Sequence, residues 1–241
     1  MQDRIYLLSI ADFLEETGGE VLIREALSKV DESRTRKAVR IRQPRARAAC
    51  LGAGLLLQVA VQDFLKANAG VRRTDCIRQE TGQSMVSTGK RNYSTGCYTV
   101  RELLAQIKSP LRLEFVYGKS GKPYLKEYPF YFNLSHSGDY VVCAISEQEI
   151  GVDIQEHRSG TPERIAERYF TAGEIKVLEQ CDTGQKEKVF FDLWAAKEAY
   201  GKYTGGGITE SLEQEIPASQ VAMQLIHSIP GYSLALCKSA E

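Results

Sequence analysis

The stretch LWAAKEAYGK, residues 193–202, reads as a helix with a lysine on its apolar side. At about 100° per residue, Phe190, Leu193, Trp194 and Gly201 fall on one side, and Lys197 lies near its middle. An ammonium held against hydrophobes is costly unless it is paired or loses its proton. An anion therefore belongs beside Lys197, unless the stem lies along the apolar side and the head reaches water. Glu198 and Lys202 follow one helical turn apart with the acid first, which taken singly is an ordinary surface pair.

Further residues of the same chemical kind lie upstream. IGVDIQ reads as a strand, in which Asp153 and Gln155 share a face and Val152 and Ile154 share the other. Alone, Asp153 reads as well as a solvated or capping acid at a strand end. FNLSHSG ends a strand with Ser135 and His136 before a Ser-Gly turn, and YGKSGKPYL sets Lys119 and Lys122 on a glycine-rich bend. Taken together, acids on a strand and a helix, with lysines, Ser and His around them, suit a magnesium ion holding a pyrophosphate. Magnesium takes one or two carboxylates, water and phosphate oxygens, and Lys and Arg neutralise the remaining charge.

These residues need elements to hold them. RIYLLSI (4–10) is a strand, and Arg45 to Ala67 is a long helix. Arg34 to Arg47 between them carries seven basic residues and no acid; it reads equally as a solvated basic face. The Gly-, Ser- and Thr-rich segment 70–99 reads as an inserted loop. From Leu113 the pattern is β, through LEFVYG, GKPYL, FYFNLSHSG, YVVCAIS and IGVDIQ. Helices return near Pro162, at Thr171 with capping-box spacing to Glu174, and over 186–203; VAMQLI and YSLALC are final strands. The order suggests two similar halves.

The totals exclude several classes. With 43% hydrophobic residues, 241 residues can bury a core as one large domain or two lobes. Lys+Arg and Asp+Glu are equal at 31 each, so no bulk charge draws the chain to nucleic acid or anionic membrane, and anion binding must be local. The N-terminal segment has no basic leader or cleavage site, and LGAGLLLQVAV is short and broken by Gln58, so the expectation is a cytoplasmic protein without a membrane span. The six scattered cysteines form no C-x-x-C pair and read as reduced packing residues.

GKPYL, FNLSHSG, GVDI and LWAAKEAYGK, in this order and at these separations, resemble the 4′-phosphopantetheinyl transferase superfamily, in its larger, surfactin-synthetase-activating type. The likeness runs from about Tyr117 to Gly207, with a looser match at Arg36 to Leu57. It implies Mg2+-dependent transfer of the phosphopantetheine arm of coenzyme A to a serine of an apo acyl or peptidyl carrier protein, releasing 3′,5′-ADP. By the resemblance, Asp153, Gln155 and Glu198 are the metal ligands, with Gln155 a neutral amide where a carboxylate is more frequent. Glu198 and Glu174 are the two candidates for the base that takes the serine proton. Lys197 and Lys202 match positions near the pyrophosphate and the pantetheine arm. Lys122, Pro123, Ser135 and His136 match positions around the nucleotide, and Arg47 one near the 3′-phosphate. Arg36, Lys37 and Arg40 have no secure match.

The implied fold is α+β, a pseudo-twofold pair of lobes at 1–112 and 113–241. Each lobe is a small antiparallel sheet on a long helix, the larger type is usually a monomer, and coenzyme A lies between the lobes. Two other readings stand beside it. One is a nucleic-acid module using the basic run, which lacks interleaved aromatics and would bind only at low salt. The other is an inactive scaffold that binds coenzyme A or a carrier, to which Gln155 alone points.

Overall fold

The computed structural model describes residues 3–68, 93–126, 128–159, 163–206 and 214–240. Its strands are β1 (Asp3–Ser9), β2 (Tyr93–Tyr98), β3 (Phe115–Tyr117), β4 (Pro123–Leu125), β5 (Tyr131–Ser137), β6 (Tyr140–Ser146), β7 (Ile150–Glu156), β8 (Val221–Ile226) and β9 (Tyr232–Ser239). Its helices are α1 (Gly19–Leu27), α2 (Glu32–Arg40), α3 (Pro44–Asn68), α4 (Val100–Gln106), α5 (Glu163–Tyr169), α6 (Ala172–Gln180) and α7 (Lys186–Thr204).

Two sheets stack between two long helices. One has the order β2-β1-β6-β5 and the other β7-β9-β8, with β3 and β4 forming a separate hairpin. The period of two along each strand builds the layers. Tyr6 and Leu8 of β1 and Val141, Cys143 and Ile145 of β6 face α3, where they meet Leu51, Leu55 and Leu56. The alternate residues Ile5, Leu7, Val142 and Ala144 face the second sheet and pack on Val152, Ile154, Leu234 and Leu236. The far face of that sheet, through Ala235 and Cys237, takes Ala195, Ala196 and Ala199 of α7. Each fully buried aliphatic side chain contributes about 1.5–3 kcal/mol relative to exposure.

The α+β reading stands, with three differences of detail. The first sheet is mixed, because β2 runs parallel to β1 while β6 runs antiparallel to it. A parallel neighbour needs a long crossover, and α1 to α3 lie between the two strands in the chain. Second, residues 93–98, expected in a loop, form β2; the rest of the expected insertion, residues 70–92, lies outside the described residues. Third, β5 and β6 complete the sheet that β1 begins, so the division at residue 112 does not coincide with a sheet boundary.

Two features that looked anomalous in the sequence are resolved by pairing. Gln58, fully buried in α3, donates from Nε2 to the Leu111 carbonyl and accepts from the Leu111 N–H, both at 2.8 Å. It thereby pins the chain after α4 to the core. The α3 window apolar enough to span a membrane is 83% buried inside the protein, so its hydrophobes face the first sheet. Cys50, Cys97, Cys143, Cys181 and Cys237 are free thiols, three of them buried; Cys76 lies outside the described residues.

Candidate active site

Strand β7 pairs with β9 on one side, and on its outer edge two N–H groups are met by side chains of β5. Asn133 Oδ1 accepts from Val152 N, and Ser137 Oγ accepts from Glu156 N, both at 3.0 Å. Asn133, Ser135 and Ser137 alternate along β5, so one polar row stitches the two sheets together. Between the two stitches, Ser135 Oγ donates to Asp153 Oδ1 at 2.6 Å.

Helix α7 closes the site from the far side of β7. An added Cβ at Gly151 would lie 2.0 Å from the Ala199 carbonyl oxygen and 2.5 Å from Tyr203 N. Only glycine lets the helix backbone rest on the strand here. That contact sets the turn of α7 carrying Glu198 and Lys202 over Asp153, on the same strand face as Gly151. Lys202 Nζ donates to Asp153 Oδ1 at 2.6 Å and to Ser135 Oγ at 2.8 Å. Gln155 Nε2 donates to the other oxygen, Asp153 Oδ2, at 2.7 Å.

Glu198 is 7% exposed. Burial, reinforced by the Asp153 charge and partly offset by Lys202, raises its pKa to about 7. Among the described residues no three of His, Cys, Asp and Glu cluster as a metal site. The donor set is two carboxylates and one amide, all hard oxygen ligands, and two acids share one buried locus. A divalent cation would relieve that crowding, so the residues fit magnesium.

The remaining predicted residues fall into three places. Beside the Asp153 group, a cavity of about 340 Å³ is lined by Ser120, Lys122, Pro123, Asn133 and Lys202, among others. Lys122 is committed within it: Nζ donates to the Ile150 and Tyr203 carbonyls at 3.1 Å each and pairs with Glu149 at 2.5 Å. Burial holds its pKa below the usual lysine value despite Glu149. His136 is exposed. Partial desolvation, then the charges of Lys202 and Lys37, keep its pKa below the ordinary histidine value, with Arg34 a smaller contributor. Lys37 and Arg34 thus bring the basic run to the site, through the α2 that the sequence reading did not foresee.

Lys197 belongs to a different pair. It is fully buried, lies 3.0 Å from Glu174 Oε2, and donates to the Gln214 carbonyl at 2.9 Å. Glu174 also completes the expected capping box of α6, accepting from Thr171 N at 2.8 Å while its own N–H donates to Thr171 Oγ1 at 3.3 Å. The anion demanded by Lys197 is therefore a side chain of the protein. Arg47 pairs with Glu20 at 2.5 Å. The structure brings together Ser135, Asp153, Gln155, Glu198 and Lys202, with Lys122, Pro123 and His136 around them. Glu174 and Lys197 form a separate buried pair, and Arg47 is engaged elsewhere.

Sequence reasoning missed Asn133, Ser137 and Gly151, although the alternating polar row in FNLSHSG and the glycine two residues before Asp153 were visible signals. Fold and site together define an α+β protein whose buried acids, amide and ammonium can hold a phosphate ester with a hard cation.

Comparison with known proteins places the chain in a family. Residues 149–234 match the model of the 4'-phosphopantetheinyl transferase superfamily. The chain is 33% identical over 141 residues to the 4'-phosphopantetheinyl transferase AcpT of Escherichia coli K12, an alignment covering 57% of this chain and 71% of AcpT. It is 33% identical over 153 residues to HetI of Nostoc sp., covering 60% and 65%, and 32% identical over 133 residues to Sfp of Bacillus subtilis, covering 48% and 59%. Less than two thirds of the length of HetI and of Sfp is thus spanned. The chain belongs to the 4'-phosphopantetheinyl transferase superfamily.

Proposed function

We propose that the protein transfers the phosphopantetheine arm of coenzyme A to a serine hydroxyl of an apo acyl or peptidyl carrier protein, as an enzyme of the larger, surfactin-synthetase-activating type. The serine oxygen forms a bond to the β-phosphorus of coenzyme A, the bond from that phosphorus to the bridging oxygen breaks, and 3′,5′-ADP leaves. The observation that carries this reading is the meeting of strand residue Asp153, helix residue Glu198 and Lys202 beside a cavity lined by Lys122 and Lys202.

In this reading Asp153, Gln155 and Glu198 hold Mg2+, which supplies charge neutralisation on the pyrophosphate when bound. Lys202 offsets charge on the transferring phosphoryl and the departing nucleotide. Ser135 orients Asp153, and Asn133 and Ser137 hold β7 in place for it. Glu198 is the preferred base, acting directly or through water, because it sits beside Asp153 and Lys202. The Glu174 carboxylate is already taken by Lys197 and the Thr171 N–H. Lys37 and Arg34 supply positive potential for the nucleotide end. The two sheet-on-helix units are read as the lobes, with coenzyme A at the seam between them.

The test is incubation with coenzyme A, Mg2+ and a panel of apo carrier proteins, scored by carrier mass. One arm added per carrier domain supports the reading. Unchanged masses across acyl and peptidyl carriers refute it.

A further inference from the structure

Lys202 stands between Asp153 and the adjoining cavity. Its ammonium lies 2.6 Å from Asp153 Oδ1 and 2.8 Å from Ser135 Oγ, while its side chain also lines the adjoining cavity. Asp153 is nearly inaccessible, its side chain 3% exposed against 26% for Lys202. Among the described residues, Lys202 is the cation paired with Asp153, and its side chain already borders the cavity. Lys122 cannot take its place, since its Nζ is spent on Ile150, Tyr203 and Glu149.

We infer that Lys202 is a tethered competitor for the divalent cation: it occupies Asp153 until a pyrophosphate group draws it into the cavity, which makes metal and pyrophosphate binding cooperative. The inference rests on the proposed function above, which puts a metal and a pyrophosphate at this site. A cation coordinated to Asp153 and an ammonium hydrogen-bonded to the same carboxylate repel across a few ångströms of poorly solvated protein. A metal arriving alone must displace the ammonium with nothing to receive it. A pyrophosphate in the cavity supplies acceptors for Nζ, frees Asp153 Oδ1 and adds oxygen ligands of its own. Linkage then requires the metal to tighten coenzyme A by the same factor. Ser135, which accepts from Lys202 and donates to Asp153, keeps the carboxylate oriented through the exchange.

The test is a Mn2+ titration of the full chain, read from the electron paramagnetic resonance signal of free Mn2+, with and without coenzyme A. In the wild type, coenzyme A should tighten Mn2+ binding by about tenfold or more, within the usual range of coupling between sites. Lys202→Met should bind Mn2+ alone about tenfold more tightly than the wild type, and coenzyme A should tighten it less. Lys202→Arg, which keeps the charge, should bind Mn2+ alone as weakly as the wild type. Mn2+ binding to Lys202→Met no tighter than to the wild type overturns the inference while leaving the transferase reading intact. A wild-type Mn2+ affinity indifferent to coenzyme A also overturns the inference, and with it the shared metal and pyrophosphate site, by a result that needs no variant to fold. Failure of the transferase reading shows separately, as wild-type protein that modifies no carrier.

Discussion

At the scale of residues, Glu198 is the group whose environment departs most consequentially from water. Its pKa lies at about 7 against 4.5 unperturbed, so between these values the folded chain keeps a proton that the unfolded chain has released. Stability from this group is full below about pH 4.5 and is lost as pH rises toward 7, by about 3 kcal/mol in all. Glu198→Gln removes the dependence. Urea unfolding in a chelator, from pH 4 to pH 8, should show the variant gaining on the wild type by roughly that amount. Parallel curves would show Glu198 ionising normally. The Lys197–Glu174 pair has the opposite logic, since a fully buried ammonium needs its anion. Glu174→Ala should cost about 3 kcal/mol in the same measurement, more than Lys197→Met, because Glu174 retains some solvent and Lys197 has none. Equal costs would mean that the ammonium is satisfied without Glu174.

The sequence left Lys197 either beside an anion or with its head in water, and it marked Glu174 as a helix-capping acid. It could not show that these were one arrangement. Which anion meets a buried cation depends on the packing of α6 against α7, which no local spacing encodes. Strand periodicity showed that Asp153 and Gln155 share a face, but their meeting with Lys202 was indicated only by the family resemblance. The stitching of β7 by Asn133 and Ser137 was not legible, because it depends on which sheet edge lies alongside.

At the scale of elements, Gly151 controls the seating of α7 on β7. In Gly151→Ala the new methyl would meet the Ala199 carbonyl at 2.0 Å, and backbone cannot swing aside as a side chain can. The helix must lift, at about 1–3 kcal/mol for overpacking. Glu198 and Lys202 shift with it relative to Asp153. Activity should therefore fall much further than the folded fraction measured by circular dichroism at the same temperature, whereas a loss matching that fraction alone would deny the contact a role in the site. The long elements α3 and α7, and the strands with alternating hydrophobes, were readable from periodicity. Strand β2 was hidden by its Ser, Thr and Gly content, since its place is set by pairing with β1. Helices α1 and α4 are short and gain most of their stability from packing. Helix α2 was masked by a basic run that reads equally as an exposed coil.

At the scale of the whole molecule, the two sheets are pressed face to face between α3 and α7, and the candidate site lies where their edges meet at β5 and β7. Neither sheet contains it alone: Ser135 comes from one, Asp153 and Gln155 from the other, and Glu198 and Lys202 from the helix behind the second. A chain without net charge has no field of its own to attract an anion. In the proposed function, the attraction for a nucleotide comes from the local cations Lys202, Lys37 and Arg34. The most direct measurement of this account is the mass of an apo carrier protein after incubation with coenzyme A, Mg2+ and either the wild type or Asp153→Ala. The wild type should add one phosphopantetheine arm per carrier domain, and Asp153→Ala should be slower by at least about 10²-fold, as when a charge-stabilising group is lost. A carrier left unmodified by the wild type, or modified at the same rate by both proteins, would contradict it.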